Sequence, residues 1–165
     1  MLHMRRRLLL AALSAPGLVI AQSSTGDQRL TALADLRETA GLIVRYKAPL
    51  LVLFSTPGCP YCREVRTHYL APRVVEQTRE ASPLLLLHET DITSTQVIID
   101  LSGAPITESA FAARFNVRAV PVVALFDQRL HLLGEPLVGL DRSGFYEAYL
   151  STAIEAARRR LRSTT

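Results

Sequence analysis

The stretch "PLLVLFSTPGCPYCREV", Pro49 to Val65, constrains the fold of this chain more than any other. Leu50 to Phe54 form a compact apolar run that ends at Thr56-Pro57-Gly58, a pattern that predicts a buried strand closed by a turn. "PYCREVRTHYL" then reads as helix. Pro60 suits its first position, because the N–H that proline lacks would be unpaired there in any case. The only two cysteines, Cys59 and Cys62, therefore fall where a strand hands over to a helix.

At such a junction Cys59 meets outward-pointing N–H groups and the positive end of the helix dipole, and both favour a thiolate. Cysteines so placed ionise with pKa values lowered to ~3.5–7.5. Cys62, three residues on, can reach Cys59 but lies deeper. Access thus makes Cys59 the attacking sulfur and Cys62 the one that resolves a mixed disulfide. Pro60 and Tyr61 shape the turn between them and tune the couple.

Other uses of two cysteines are weaker. A bridge across so short a loop is worth only about 2 kcal/mol by chain entropy, against ~3 for a 15-residue loop. With 48% hydrophobic residues the chain hardly needs it. A closed zinc site wants four ligands, and His68, His88 and His131 supply no second paired arrangement. No metal site is assigned. A two-thiolate Cu(I) carrier and a disulfide-sensing binding protein remain the alternatives to a redox enzyme.

The beginning, "MLHMRRRLLLAALSAPGLVIAQSS", has the layout of a secretory signal peptide over 1–21. A basic cluster, Arg5 to Arg7, precedes an apolar run that Ser14, Pro16 and Gly17 interrupt, too short for a membrane span. The adjacent arginines also admit a twin-arginine signal. Removing 1–21 leaves 16 basic against 15 acidic residues, so the formal charge of +4 belongs mostly to the leader. Arg158, Arg159, Arg160 and Arg162 read as the solvated end of a final helix. No aromatic-studded basic face supports nucleic-acid binding. The expected location is the periplasm, with the membrane involved only during export.

Residues 22–165 read as one domain, with a core of about 27–160. "DQRLTALADLRETAGLIVRY" is expected as a helix capped by Thr25 or Asp27, and "PLLLLHETDI" as a second buried strand. Pro72 should break or kink the helical stretch after Cys62. Thr93 to Pro105 reads as a loop or short insert, followed by a helix from near Thr107. "PVVALFD" and "LHLLGEPLVG" read as two antiparallel strands joined through Asp127 to Arg129. Asp141 can cap a last helix with Phe145, Tyr149, Leu150 and Ile154 on one stripe.

"LLVLFSTPGCPYCREV", "FNVRAVPVVALFD" and "LVGLDRSGFYEAYL" together resemble the thioredoxin-like superfamily over nearly all of the mature chain, in the flavour of exported SoxW-like thioredoxins. The resemblance implies an α/β thioredoxin-like fold: a central mixed sheet with helices on both faces, β-α-β plus β-β-α, preceded by an N-terminal helix. It implies a thiol–disulfide oxidoreductase with nucleophile Cys59 and resolving Cys62. It implies a cis peptide between Val120 and Pro121, whose backbone would receive a substrate segment by strand addition. The Cys59–Cys62 disulfide would be the redox group, with no further cofactor. Partners would be exported cysteine-containing proteins and a thiol/disulfide electron-transfer protein.

Four positions depart from the family pattern. Pro60-Tyr61 is the dipeptide of many glutaredoxins, and Gly58 stands where a tryptophan usually precedes the first cysteine. Leu53 replaces the buried acid six residues before the nucleophile, so a water, Glu64 or His68 would have to take over its role.

Overall fold

The computed structural model describes residues 30–77, 79–141 and 143–163; the expected signal segment 1–21 and the helix caps expected at Thr25 or Asp27 lie outside them. In chain order the elements are β1 (Thr31–Ala32), α1 (Leu36–Tyr46), β2 (Leu50–Ser55), α2 (Pro60–Glu64), a π-helical turn (Val65–Leu70) and α3 (Ala71–Gln77). There follow β3 (Leu86–Asp91), β4 (Val97–Ile99), β5 (Pro105–Thr107), α4 (Glu108–Arg114), β6 (Val122–Phe126), β7 (Leu137–Val138) and α5 (Tyr146–Ser163).

Every residue of β2 is buried, because it is central in a five-stranded sheet of order β1-β3-β2-β6-β7. It pairs in parallel with β3, Leu53 opposite Glu89, and antiparallel with β6, Phe54 opposite Val122. Successive side chains alternate between the faces, so an all-apolar strand needs cover on both. On the Phe54 side Phe54 stacks on Phe111 of α4 at 5.9 Å, and Phe115 meets Phe126 at 4.7 Å. Burying each such ring is worth about 1.5–3 kcal/mol. The mixed sheet with flanking helices is the expected fold class.

Four elements differ in detail from the sequence pattern. The first helix starts only at Leu36, because Asp35 accepts the N–H groups of Arg37 and Glu38 and caps it there. Residues 31–32 pair with β3 as a short strand instead. The stretch Thr93 to Pro105 is not all loop: β4 within it forms a small antiparallel ladder with β5, which runs on to Thr107, tied to the main body where Ile99 N–H donates to Ala34 C=O at 2.9 Å. The turn through Asp127 forms, with Leu133 N–H donating to Leu125 C=O at 2.8 Å. The ladder is then interrupted by Gly134 to Pro136, so the paired strand is only Leu137–Val138. On α5 the buried stripe is Tyr146, Leu150, Ile154, Ala157 and Leu161, while Phe145 and Tyr149 face solvent. Asp141 fixes the turn before this helix through the N–H groups of Ser143 and Phe145.

Pro72 does not break the helix that begins at Pro60. The π-helical turn lies directly before it, with Ala71 N–H donating to Arg66 C=O, five residues back. The wider turn carries the chain past the proline, and α3 continues to Gln77.

Candidate active site

β2 delivers the chain to Thr56, Pro57 and Gly58 at the carboxyl end of the sheet. Gly58 adopts φ +76°, a conformation that side chains rarely take, which accounts for glycine where the related pattern has tryptophan. Cys59 follows as the N-cap with extended backbone, and Pro60 occupies the first helical turn. The Cys59 sulfur accepts the N–H of Cys62 at 3.1 Å. Donors of this kind, at the mouth of a helix, hold a thiolate when the bond is opened.

Cys59 and Cys62 form a disulfide with Cα atoms 5.3 Å apart. Cys59 is half-buried, whereas Cys62 is fully enclosed. An attacking group reaches the first sulfur and not the second. Tyr61, between them, is 46% exposed.

The Val120–Pro121 peptide is cis. Because Val122 is opposite Phe54, this peptide belongs to the same end of the sheet as the loop leading into Cys59. Pro121 C=O accepts Gly139 N–H at 2.8 Å, which ties the segment to the turn after β7. Val120 itself is half-buried and precedes the ladder.

A cavity of about 300 Å³ opens beside Cys59, and its lining includes Arg63, Arg66, Glu89, Gln96 and Glu108. Within it Arg66 makes a two-point ion pair with Glu89, Nε to Oε2 at 2.8 Å and Nη2 to Oε1 at 2.6 Å. Ser55 Oγ donates to the same Glu89 Oε1 at 2.6 Å. Glu108 is buried nearby against the Thr90 hydroxyl at 3.4 Å. Leu53 is enclosed, and neither of the expected substitutes for an acid there fits: Glu64 and His68 are both exposed. A part-buried acid sits one strand over, at Glu89. Its sequence signal was a charged residue interrupting the apolar run "PLLLLHETDI".

The remaining histidines stand apart from the sulfurs. His88 lies on β3 with Nδ1 3.3 Å from Ala32 C=O, and burial holds its imidazole below the ordinary range. His131 is exposed beside Asp127 at 3.3 Å. Among the described residues there is no group of three or more His, Cys, Asp or Glu side chains able to hold a metal ion.

The family model described as a thioredoxin-like domain matches residues 37–137, more than half of the chain. A search of curated proteins finds no match. Similar solved structures include a thioredoxin-fold protein from Helicobacter pylori, at 15% identity and TM-score 0.47, with 70% of this chain and 81% of that chain covered. A mutant thioredoxin from Halobacterium salinarum aligns at 20% identity and TM-score 0.48, covering 80% of this chain and 92% of that chain. Fasciola hepatica thioredoxin aligns at 20% identity and TM-score 0.47, covering 76% and 97%.

Proposed function

Because the chain belongs to the thioredoxin-like family and its Cys59–Cys62 disulfide makes it a thiol:disulfide oxidoreductase, we propose that it exchanges that disulfide with cysteine-containing proteins exported to the periplasm. The observation that carries the reading is the unequal exposure of two bonded sulfurs at a helix start: Cys59 half-buried, Cys62 enclosed.

The step follows from that inequality. A substrate thiolate attacks the Cys59 sulfur, the Cys59–Cys62 bond breaks, and its electron pair leaves on Cys62, which takes up a proton. The substrate is then joined to Cys59 as a mixed disulfide. A second substrate thiolate displaces Cys59, leaving an oxidised substrate and a reduced protein. In reverse, Cys59 attacks a substrate disulfide, and Cys62 as thiolate displaces the substrate and restores the protein disulfide. The Val120 backbone beside Pro121 receives an extended substrate segment by strand addition, holding the substrate sulfur in line with Cys59. The SoxW-like flavour of the sequence motifs and the leader-like segment 1–21 support an exported protein, with substrates in a bacterial sulfur-oxidation or cytochrome-assembly route.

Replacing Cys62 with alanine removes the resolving sulfur and should trap substrates on Cys59. Non-reducing gels of the C62A protein expressed with its leader should show adducts that disappear on reduction and in C59A/C62A. Absence of any adduct with exported thiol proteins would sink the proposed exchange, and adducts confined to unexported protein would sink the periplasmic location.

A further inference from the structure

The cavity beside Cys59 holds carboxylates in unequal surroundings. Glu89 is met by the two-point contact of Arg66 and by the Ser55 hydroxyl. Glu108, only 5% exposed, is met by the Thr90 hydroxyl at 3.4 Å, long for an O–H···O bond. Among the described residues no cation is ion-paired with Glu108. Its place in the first turn of α4 gives it the favourable end of a short helix. That offsets less than burying a carboxylate without a paired cation costs. Around the cavity Glu89, Asp91 and Glu108 stand against Arg63 and Arg66, and Asp91 is held by neutral donors, the N–H and hydroxyl of Thr93. Acids outnumber bases in the lining, and the most enclosed acid is the one short of donors.

We propose that this cavity is a subsite for a basic side chain, lysine or arginine, that a substrate protein carries close to its reacting cysteine, with Glu108 receiving the cation. The inference rests on the exchange activity and the strand addition proposed above. Cys59 follows β2, the central strand in the order β1-β3-β2-β6-β7. Val120, the receiving backbone, precedes β6 on one side, whereas Glu89 and Asp91 come from β3 on the other. A substrate held at Val120 with its sulfur at Cys59 therefore leaves the far side of that sulfur open to a neighbouring side chain. About 300 Å³ is room for one, and a cation there supplies the donors that Glu108 lacks. Arg63 is exposed and so screened by water; the enclosed acid sets the preference.

Reduced protein and a set of symmetric peptide disulfides test the proposal without any knowledge of the physiological substrate. The Cys59 thiolate attacks one peptide sulfur and expels the first peptide thiolate; Cys62 then displaces the second. The protein dithiol becomes the Cys59–Cys62 disulfide, both electrons pass to the peptide sulfurs, and the two thiol protons follow. Each peptide carries a lysine, placed in turn at each position flanking the cysteine, among neutral residues. Companion peptides carry glutamine, glutamate or acetyl-lysine there. At one or more positions lysine should raise the second-order rate constant about tenfold over glutamine, the worth of a hydrogen bond to an enclosed charge. Acetyl-lysine, which is uncharged, and E108Q should each cut that gain to about threefold or less, what a solvent-exposed pair provides. The lysine-to-glutamine ratio is taken within each protein, so a general change of rate in E108Q does not enter it.

No lysine position with a gain, a glutamate peptide faster than its lysine counterpart, or a gain that survives acetylation or E108Q would overturn the proposal. If E108Q does not fold, E108D decides. Its carboxylate is drawn back by one methylene, so the gain should shrink, and an undiminished gain overturns the inference. Failure of even the glutamine peptide to oxidise the unaltered protein counts against the exchange activity. Equal reaction of every peptide counts against the cation subsite alone.

Discussion

Asp35 concentrates a helix start in one carboxylate. Its Oδ1 accepts Arg37 N–H at 2.8 Å and Glu38 N–H at 3.3 Å, while Oδ2 holds the Arg37 guanidinium at 2.7 Å. The Arg37 side-chain bond is the largest cause that draws the acid from its ordinary 3.8 down to about 2. A depressed carboxylate contributes stability that is complete above its unfolded pKa and is lost as pH falls through the folded one. The expected outcome is a thermal midpoint that drops between pH 3.8 and about 2, with a shallower drop in D35N; equal slopes would show that Asp35 is not the titrating group. The residue was visible in the sequence, but its role was not. Leu30, Leu33 and Leu36 keep helical spacing through it, and only the pairing of residues 31–32 with β3 ends that run. Gly58 is the reverse case: its φ of +76° explains an identity that spacing alone left as an exception.

Among the elements, the β4–β5 ladder was the least legible, since three-residue strands carry too few positions to show a period. It is nonetheless part of the core. Ile98, in the middle of β4, is 1% exposed, and the ladder's far end is fixed where Arg114 holds Asp100 through both carboxylate oxygens at 2.8 and 3.1 Å. Ser94 and Gln96, just before it, line the cavity beside Cys59. Truncating Ile98 to alanine should therefore lower unfolding free energy by about 2–5 kcal/mol in denaturant titrations. A loss below about 1 kcal/mol would make the ladder a surface appendage. The helix from Pro60 to Gln77 shows the opposite limit. Its existence was plain from "YCREVRTHYL" and "RVVEQ", whereas the π-helical turn, closed by Ala71 N–H donating to Arg66 C=O, has no signature in the spacing of apolar residues.

At the scale of the whole molecule, the disulfide is marginal to the fold. It spans a separation of three residues, and a loop that short removes only about 2 kcal/mol of chain entropy. The core instead gathers Leu50 to Phe54 of β2, the rings of Phe111 and Phe126, and the buried stripe of α5. Reduction should leave the far-ultraviolet circular dichroism unchanged and move the thermal midpoint by no more than about 10 °C. Unfolding on reduction would make the bridge a structural staple after all.

The sequence by itself determined the local pieces: the apolar strand, the proline-started helix, and the cysteines at their junction. It could do so because each is encoded within a few neighbouring residues, through the spacing of apolar side chains and the missing N–H of Pro60. The tertiary structure alone decided which charges meet in the cavity beside Cys59. Glu89 and Arg66 are 23 positions apart and meet because β3 lies in register beside β2 while the helix packs over both. Periodicity records that a residue faces inward; only the pairing of strands and the seating of the helix fix what it meets there.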